Sequence, residues 1–397
     1  MYLSSFVHRE ELFRIAERWF RGQPDRNDAR RITEILIADG FIAGETLGGV
    51  SRFLLEELHG GKPVYTERRI TLKGELRDTL LYTRCDLTPR IEELFQEYRR
   101  NPDFFYSETP INGVICLNGG GELVAVYRVK RPRRVAEKAN RKIASWLFGM
   151  VQEEARALAR ERARQMGVPL EWLFTPEDQM VREFMEAEEH IAHRFSEGDI
   201  SFDRKALTIH DVGGIKIVGT PEELHGLEEK LRSGSMCAVV DRECLQGSYN
   251  AVNLVLELPW DRERACKSFR ESRWWERFTK RGLSEESLEK GLEALLVDPA
   301  ETIQTEVILT TFPELVESEL GTCIHEKRIL AQRENRDYKG NIPLNIEFLV
   351  EYLFAVGFSP SIQVDDIPIK LWGRYLPDTL ISHIRRLYNL PAYDLFY

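Results

Sequence analysis

The chain has 397 residues, 43% of them hydrophobic, and a formal net charge of -10 at pH 7. This length allows two or three domains or one large domain with insertions, and the composition can form a buried core. The acidic balance argues against a protein coated in nucleic acid, although it allows a local basic groove. No apolar run approaches the ~18 residues that a membrane span needs. The N-terminus has charges where a signal peptide would be apolar, so we expect a cytoplasmic protein that does not enter a membrane.

The first hundred residues are predicted to be mostly helical. Apolar residues recur at helical spacing in "REELFRIAERWF", "DRNDARRITEILIADG" and "LTPRIEELFQEYRR". The second of these helices is expected to end at Gly40, because glycine commonly follows the last helical residue. We therefore predict a helical N-terminal region over residues 1–108.

The periodicity changes near residue 111. The stretch "INGVICLNGGGELVAVYRVK" contains two strand-like runs joined by "NGGG". It predicts a hairpin, because glycine and asparagine supply the positive φ that a tight turn needs. A long helix closed by Gly167 follows, and then a second helix, "EDQMVREFMEAEEHIAHRF". These two helices predict a helical insertion at about residues 150–203.

Strands and helices alternate after the insertion. Strands are predicted at residues 205–218 and in "MCAVVD", "AVNLVLELP" and "TIQTEVILTT". Helices are predicted in "PEELHGLEEKLRSG", "SEESLEKGLEALL" and "PELVESELGTCIHEKRILAQ". The alternation indicates an α/β core, which we assign to residues 109–335. Helical patterns return in a C-terminal region over residues 336–397.

One aspartate stands inside a strand-like apolar run. Asp211 lies in "TIHDVGGIKIVG" and is followed by Gly213 and Gly214. A carboxylate in a core strand is costly unless it is paired, hydrogen-bonded or bound to a metal. Glycines let another backbone or a phosphate come close. Asp211 is therefore a candidate Mg²⁺ ligand beside a nucleotide. The alternative is an aspartate at a bulge or strand end that pairs with a nearby arginine or lysine.

A second carboxylate, Glu306, lies in the strand-like run "QTEVILTT". Carboxylates on adjacent strands could share one or two metal ions during phosphoryl or pyrophosphoryl transfer. Gln304 and Glu306 also alternate with apolar neighbours, so Glu306 could instead face outward from a half-exposed strand. Both interpretations stay open at the level of the sequence.

This acidic chain has one strongly basic stretch, "YRVKRPRRVAEKANRK", at a predicted strand-to-helix junction. Basic side chains at the start of a helix oppose its dipole, and a bound polyphosphate would offset that cost. The alternative is a solvated basic face. Farther along, "QGSYN" places Tyr249 at the mouth of a strand. There the ring could stack on a purine base or be an ordinary tyrosine at a strand end.

In this order, the features resemble the synthetase domain of the RelA/SpoT family, the alarmone synthetases, over about residues 112–330. "DVGGIKI", "GSYNAVN" and "EVILTT" resemble three of the family's motifs. The resemblance implies a nucleotidyltransferase-like fold, with a mixed sheet flanked by helices. It also implies an enzyme that moves pyrophosphate from ATP to the 3′-hydroxyl of a guanine nucleotide. Some relatives instead modify the 3′ end of tRNA.

The resemblance also implies roles for individual residues. Arg128, Lys130 and Lys138 would hold the ATP phosphates, and Lys216 stands in the nucleotide site where the family usually has arginine. Tyr249 would stack on the base. The metal-binding, catalytic carboxylates would be Asp211 and Glu306, with Mg²⁺ as the cofactor. Glu319 falls at the glutamate of the family's following helix.

Several positions depart from the family pattern. Asn250 and Asn253 replace an arginine and a histidine, and Ile308 and Thr310 replace a glutamine and an arginine. Three functions therefore remain open. The first is a Mg²⁺-dependent pyrophosphotransferase that uses ATP and a guanine nucleotide or tRNA. The second is a catalytically impaired nucleotide-binding regulatory protein of the same fold. The third is a scaffold whose helical regions bind a protein partner or form a homo-oligomer.

Overall fold

The computed structural model describes residues 1–61, 64–83, 88–234, 237–247, 249–279, 283–321, 340–375 and 379. The strands are β1 Tyr2–Leu3, β2 Tyr65–Leu72, β3 Pro110–Asn118, β4 Leu123–Val129, β5 Thr208–Ile209, β6 Gly213–Val218, β7 Ala238–Leu245, β8 Ala251–Pro259 and β9 Thr302–Thr310. The helices are α1 Arg9–Phe20, α2 Asp28–His59, α3 Lys73–Tyr82, α4 Pro89–Arg100, α5 Pro132–Met166, α6 Glu177–Glu197, α7 Pro221–Ser233, α8 Arg262–Ser272, α9 Glu276–Thr279, α10 Glu285–Glu289, α11 Phe312–Leu320 and α12 Asn341–Val356.

Seven strands form one mixed sheet in the order β2-β3-β4-β6-β9-β8-β7. Its β6–β9 pair is parallel, and the other neighbours are antiparallel. The short strands β1 and β5 pair in parallel beside it. The predicted mixed α/β architecture, a sheet flanked by helices, is confirmed. Strand β2 was missed, because an edge strand with mostly exposed, charged side chains carries little hydrophobic periodicity.

The two faces of the sheet are covered by different helices. Side chains of α2 and α7 pack against one face, where Ile215, Ile217 and Val307 are buried. Side chains of α3, α4 and α11 pack against the other face, around Ile115 and Val126. Because successive residues of a strand point to opposite faces, Gly214, Lys216 and Glu306 belong to the face covered by α3 and α11.

The predicted strand at residues 205–218 is wrong in one respect. The structure divides it into β5 and β6, which pair with β1 and with β4 and β9, respectively. The chain changes partners over residues 210–212, where it is not a strand. Asp211 therefore lies in a break between two strands and not inside a core strand. This position lets its carboxylate remain partly exposed.

Two predicted helix boundaries are also wrong. Helix α2 continues through Gly40 to His59 and is followed by Gly60, whose φ is 66°. Apolar residues continue to be buried beyond Gly40, and this packing outweighs the weak helix propensity of a single glycine. The predicted helix in "SEESLEKGLEALL" is interrupted at Gly291, whose φ of 86° is incompatible with a helix. Only α10 and a short 3₁₀ turn, Leu292–Ala294, form there.

The hairpin β3–β4 and the pair of helices α5 and α6 occur where the sequence predicts them. The division into regions 1–108, 109–335 and 336–397 stays a prediction. Parts of the predicted helix after residue 321 and of the C-terminal region fall outside the described residues. Within the described ranges, no helix is both long and apolar enough to cross a membrane.

Candidate nucleotide-binding cleft

A cleft opens on the face of the sheet that α3 and α11 partly cover. It is lined by Ile70, Leu76, Ile111, Gly113, Val126, Arg128, Lys130, Asp211, Gly214, Ile215, Lys216, Glu306, Ile308 and Glu319. Five of the residues predicted to form the site are among them: Arg128, Lys130, Asp211, Lys216 and Glu306. The sheet thus brings together side chains that are far apart in the sequence.

Across three adjacent strands, a glycine lies between an arginine on one side and a glutamate on the other. In the strand register, Arg128 is opposite Gly214, and Gly214 is opposite Glu306. A Cβ atom at Gly214 would lie 3.4 Å from Glu306 Oε2. The missing side chain therefore leaves open space beside the Glu306 carboxylate, within the cleft.

The glycine before it has a different structural reason. A Cβ atom at Gly213 would lie 3.2 Å from Leu47 Cδ1 of α2, closer than ordinary van der Waals contact. Gly213 therefore allows α2 to pack closely against β6. The two consecutive glycines serve opposite faces of the sheet.

Two lysines converge on the Asp211 carboxylate. Lys130 Nζ lies 2.7 Å from Asp211 Oδ2, and the Lys138 ammonium contacts the same oxygen. The Lys130 ammonium also donates to the Asp211 backbone carbonyl. The Lys130 amide donates to the Val212 carbonyl at 2.8 Å. The geometry therefore matches the alternative stated for Asp211, a carboxylate at a strand end paired with basic residues.

The protonation of these lysines is finely balanced. The pKa of Lys130 is lowered from 10.5 to about 7, mainly by burial; the Glu306 charge opposes this change and the Arg128 charge contributes to it. Burial also lowers the pKa of Lys138 to about 7, with the neighbouring Lys130 charge as the next cause. Two ammonium groups that share one carboxylate are thus close to losing a proton at neutral pH.

Asn253 orients the second candidate carboxylate. Asn253 lies on β8 opposite Ile308, and its Nδ2 donates to Glu306 Oε1 at 3.1 Å. Its Oδ1 is buried and has no hydrogen-bond partner in the described part of the chain. The asparagine that replaces the family's histidine therefore still contacts the cleft, as a donor to Glu306.

A third carboxylate, Glu319 of α11, is held by several cations. Lys216 Nζ lies 2.7 Å from Glu319 Oε1. Arg77 Nε donates to the Glu319 carbonyl at 3.0 Å. Burial alone would raise the pKa of Glu319, but the charges of Lys216, Arg128, Lys73 and Arg77 together hold this pKa far below its usual range. Glu319 is therefore ionised at any physiological pH.

Arg128 lies between these two clusters. It is partly buried and lines the cleft, and its guanidinium forms no hydrogen bond or ion pair with another residue that the structure describes. A partly buried guanidinium without a carboxylate partner is suited to an anionic ligand, which it can bind through two parallel hydrogen bonds.

Tyr249 is not among the residues that line the cleft. It precedes β8, whose Val252 is opposite Leu309 of β9, three residues beyond Glu306. The neighbouring Asn250 bonds to Glu314 of α11 through its backbone amide at 2.6 Å and through its side-chain amide at 2.9 Å. The residue that follows Tyr249 is therefore joined to the start of α11.

Sequence reasoning did not identify Arg77, Lys73 or the role of Asn253. Arg77 is 1% exposed, yet it lies on a helix with a mixed charged and apolar sequence and no motif of its own. Its contact is with a residue 242 positions away, so only the fold reveals it. The one signal in the sequence was that Arg77 is a charged residue on the buried side of a short helix.

The carboxylates of Asp211 and Glu306 fit a magnesium ion that arrives with a nucleotide better than they fit a permanently bound metal ion. No group of three or more histidine, cysteine, aspartate or glutamate side chains could hold a metal among the described residues. Mg²⁺ commonly uses one or two carboxylates and completes its shell with phosphate oxygens and water. Asp211 and Glu306 can supply those carboxylates, provided that Asp211 exchanges its lysine partners.

Comparison with known proteins yields matches among solved structures. No protein-family model matches the chain, and no curated protein matches it in sequence. The small alarmone synthetase 2 from Bacillus subtilis is 12% identical, with 43% of this chain and 71% of that chain covered and a TM-score of 0.20.

The small alarmone synthetase 1 from Bacillus subtilis is 13% identical, with 72% of this chain and 92% of that chain covered and a TM-score of 0.21. The structure of that protein bound to its product pppGpp is 12% identical, covers 68% and 86% of the two chains, and has a TM-score of 0.20. Likeness at this level does not show a shared family, so the function has to be argued from the cleft.

Proposed function

We propose that the cleft binds a magnesium–nucleotide and that the chain transfers a pyrophosphoryl group from ATP to a guanine nucleotide or the 3′-hydroxyl of tRNA. The observation that carries this proposal is the unpartnered Arg128 beside two lysines that share one carboxylate. The cluster has an excess of cationic groups, and a polyphosphate would balance them. A cytoplasmic location is part of the proposal.

Binding requires an exchange of partners. The cavity volume of the cleft is about 30 Å³, which is room for about two water molecules. Phosphate oxygens would therefore draw Lys130 and Lys138 away from Asp211 and widen the cleft. The same movement would free the Asp211 carboxylate to bind the magnesium ion of the nucleotide.

The transfer step needs positioning and charge neutralisation more than covalent help. The acceptor oxygen would form a bond to the β-phosphorus of ATP while the bond between that phosphorus and the α–β bridging oxygen breaks. AMP leaves, and the acceptor hydroxyl proton passes to Glu306. Magnesium would neutralise charge on the phosphates. Arg128, Lys130 and Lys138 would hold them in line.

A second candidate function is nucleotide binding without transfer. Asn250 and Asn253 stand where the resembled family has an arginine and a histidine, and both bond to glutamates of this chain. Neither side chain supplies the positive charge that the family places there. A regulatory protein could retain phosphate binding through Arg128, Lys130 and Lys138 without these two groups.

The deciding experiment measures transfer from labelled ATP to GDP, GTP and tRNA, together with calorimetric binding of each nucleotide. We expect Asp211→Asn to lower transfer by at least about 100-fold, the scale on which one removed electrostatic contact affects a reaction centre. The matched control is Asp178→Asn, an exposed aspartate of α6. Binding without transfer in the wild type would establish the second candidate. Absence of both, or unchanged transfer in Asp211→Asn, would overturn the proposal.

A further inference from the structure

A second cavity of about 190 Å³ adjoins the cleft without belonging to it. Lys130 lines both spaces, and Val212 lines only the second. The backbone hydrogen bond from Lys130 to Val212 therefore forms part of the wall between them. The cavity lies among α2, the start of α5, the end of α12 and the N-terminal segment.

The walls of this cavity are mainly apolar and partly aromatic. They include Phe6, Leu36, Ile37, Val212, Trp274 and Phe354. Its volume exceeds that of a cavity of roughly 150 Å³ that is known to hold benzene. An apolar space of this size, bounded by rings, is suited to a single aromatic ring.

Gly40 helps to keep the cavity open. It lies in the interior of α2 and lines the cavity, and a Cβ atom built on it would meet no atom within 4 Å. Glycine weakens a helix interior relative to alanine, because it loses more backbone entropy on folding. Nothing nearby requires a glycine for steric reasons. The residue is therefore explained by the space that it leaves, not by the packing of the helix.

The charge on the cavity lining is of one sign. Arg131 lines it and is partly buried, and its guanidinium has no hydrogen bond or ion pair with any residue in the described part of the chain. None of the described lining residues is acidic. A guanidinium in this position favours a carboxylate, whose two oxygens match its planar donors.

We propose that this cavity binds a small aromatic carboxylate, with the ring between Phe6 and Trp274 and the carboxylate on Arg131. The site is independent of the nucleotide cleft, although the shared Lys130–Val212 wall connects them. The ligand class follows from the apolar volume, the aromatic walls and the single available cation.

The test uses 3-phenylpropanoate as the probe and calorimetry on the full chain. We expect saturable binding by the wild type and at least a tenfold loss in Gly40→Leu, because the new side chain fills the cavity. Gly44→Leu is the matched control, since Gly44 lies in the same helix with equally open surroundings and does not line the cavity. Its affinity should equal that of the wild type.

Two further measurements test the charge. Arg131→Gln should weaken the binding of 3-phenylpropanoate by roughly 10- to 100-fold, the range for the loss of a hydrogen bond to a charged group. The uncharged amide, 3-phenylpropanamide, should bind the wild type more weakly than the carboxylate does. Its affinity for Arg131→Gln should equal its affinity for the wild type. Equal affinity of the amide and the carboxylate for the wild type would overturn the proposal.

Thermal unfolding checks that Gly40→Leu is folded, with a melting temperature at least equal to that of the wild type. If that variant does not fold, Gly40→Ala replaces it and should reduce affinity measurably while leaving the fold intact. No saturable binding to the wild type, or wild-type affinity in the cavity-filling variant, would refute the site. Because the probe is not a nucleotide, these outcomes are independent of pyrophosphate transfer.

Discussion

Two lysine–carboxylate clusters lie in the same cleft and differ in their balance of charge. Around Glu319, one carboxylate is surrounded by several cations, and its pKa is held far below the usual range. Around Asp211, burial outweighs the attraction of the Glu306 charge, and the pKa of Lys130 and of Lys138 falls to about 7. Arg128 lies between them and adds positive charge to both.

The difference indicates different roles. Glu319 joins α11 to β6 through Lys216 and to α3 through Arg77, so its charge connects three elements of the fold. Asp211 lies in a break between strands, and among the described residues its carboxylate pairs with Lys130, just before α5, and with Lys138 of α5. The first cluster is built for stability, whereas the second can exchange partners at a small cost.

The largest expected effect is on stability, in Glu319→Gln. Breaking a buried ion pair leaves an uncompensated charge on Lys216, and we expect the free energy of unfolding to fall by about 3 kcal/mol. Urea unfolding measures this loss. The matched control is Glu317→Gln, on the same helix and paired with the more exposed Arg90, where the loss should be about 1 kcal/mol or less.

The same measurement on Asp211→Asn sharpens the contrast. Lys130 and Lys138 can release a proton near neutral pH, so the loss of their carboxylate should lower the free energy of unfolding by no more than about 1.5 kcal/mol. A larger effect at Asp211 than at Glu319 would reverse the assignment of the two roles.

The next effect concerns pH and ligand binding. An anion binds the protonated lysines, so it must raise their pKa values above the value of about 7 in the free chain. The affinity for magnesium-free ADP should therefore be highest below pH 7 and decrease as the pH rises. The decrease should approach about tenfold per pH unit for each lysine that must gain a proton.

Calorimetry at pH 6, 7, 8 and 9 in two buffers of different ionisation enthalpy measures both the affinity and the uptake of protons. Lys138→Gln should flatten the pH dependence and reduce the proton uptake. An affinity that stays constant between pH 6 and 9 would show that these lysines do not contact the anion.

The smallest expected effect compares the two adjacent glycines. Gly213→Ala places a methyl group against Leu47, and overpacking of this kind should lower the free energy of unfolding by about 1–2 kcal/mol. Gly214→Ala meets Glu306 at ordinary contact distance, so it should change stability by less than about 0.5 kcal/mol. It should nevertheless weaken ADP binding, because it occupies the cleft. Equal stability losses in both variants would contradict the assignment of the glycines to opposite faces.

Elements with strong alternation were predicted well. Strand β8 coincides with "AVNLVLELP", and β9 lies within "TIQTEVILTT", because buried strands of β-branched and aliphatic residues have few competing structures. Strand β2 and the break between β5 and β6 were not predicted. Strand β2 lies at the sheet edge, and its mostly exposed side chains show little hydrophobic periodicity. The break between β5 and β6 depends on which strand is the hydrogen-bonding partner, and a single sequence does not contain that information.

The residues of the candidate site were predicted from the sequence, but most of their contacts were not. The sequence singled out Arg128, Lys130, Lys138, Asp211, Lys216 and Glu306 by their residue types and order, and the structure brings most of them to one cleft. The sequence offered pairing with a basic residue as an alternative for Asp211, but it did not identify Lys130 and Lys138 as the partners. It also did not indicate that Glu319 collects further cations. Those contacts join residues separated by dozens to hundreds of positions.

The sequence by itself determined most of the element types in the core, the local inversion of charge at the start of α5 and the candidate residues for phosphate and magnesium binding. These properties depend on periodicity and chemistry within short stretches. The tertiary structure alone decided which carboxylate is paired, which arginine is unpartnered and why Gly213, Gly214 and Gly40 lack side chains. Such properties depend on distances between strands and helices, and those distances exist only once the sheet has formed.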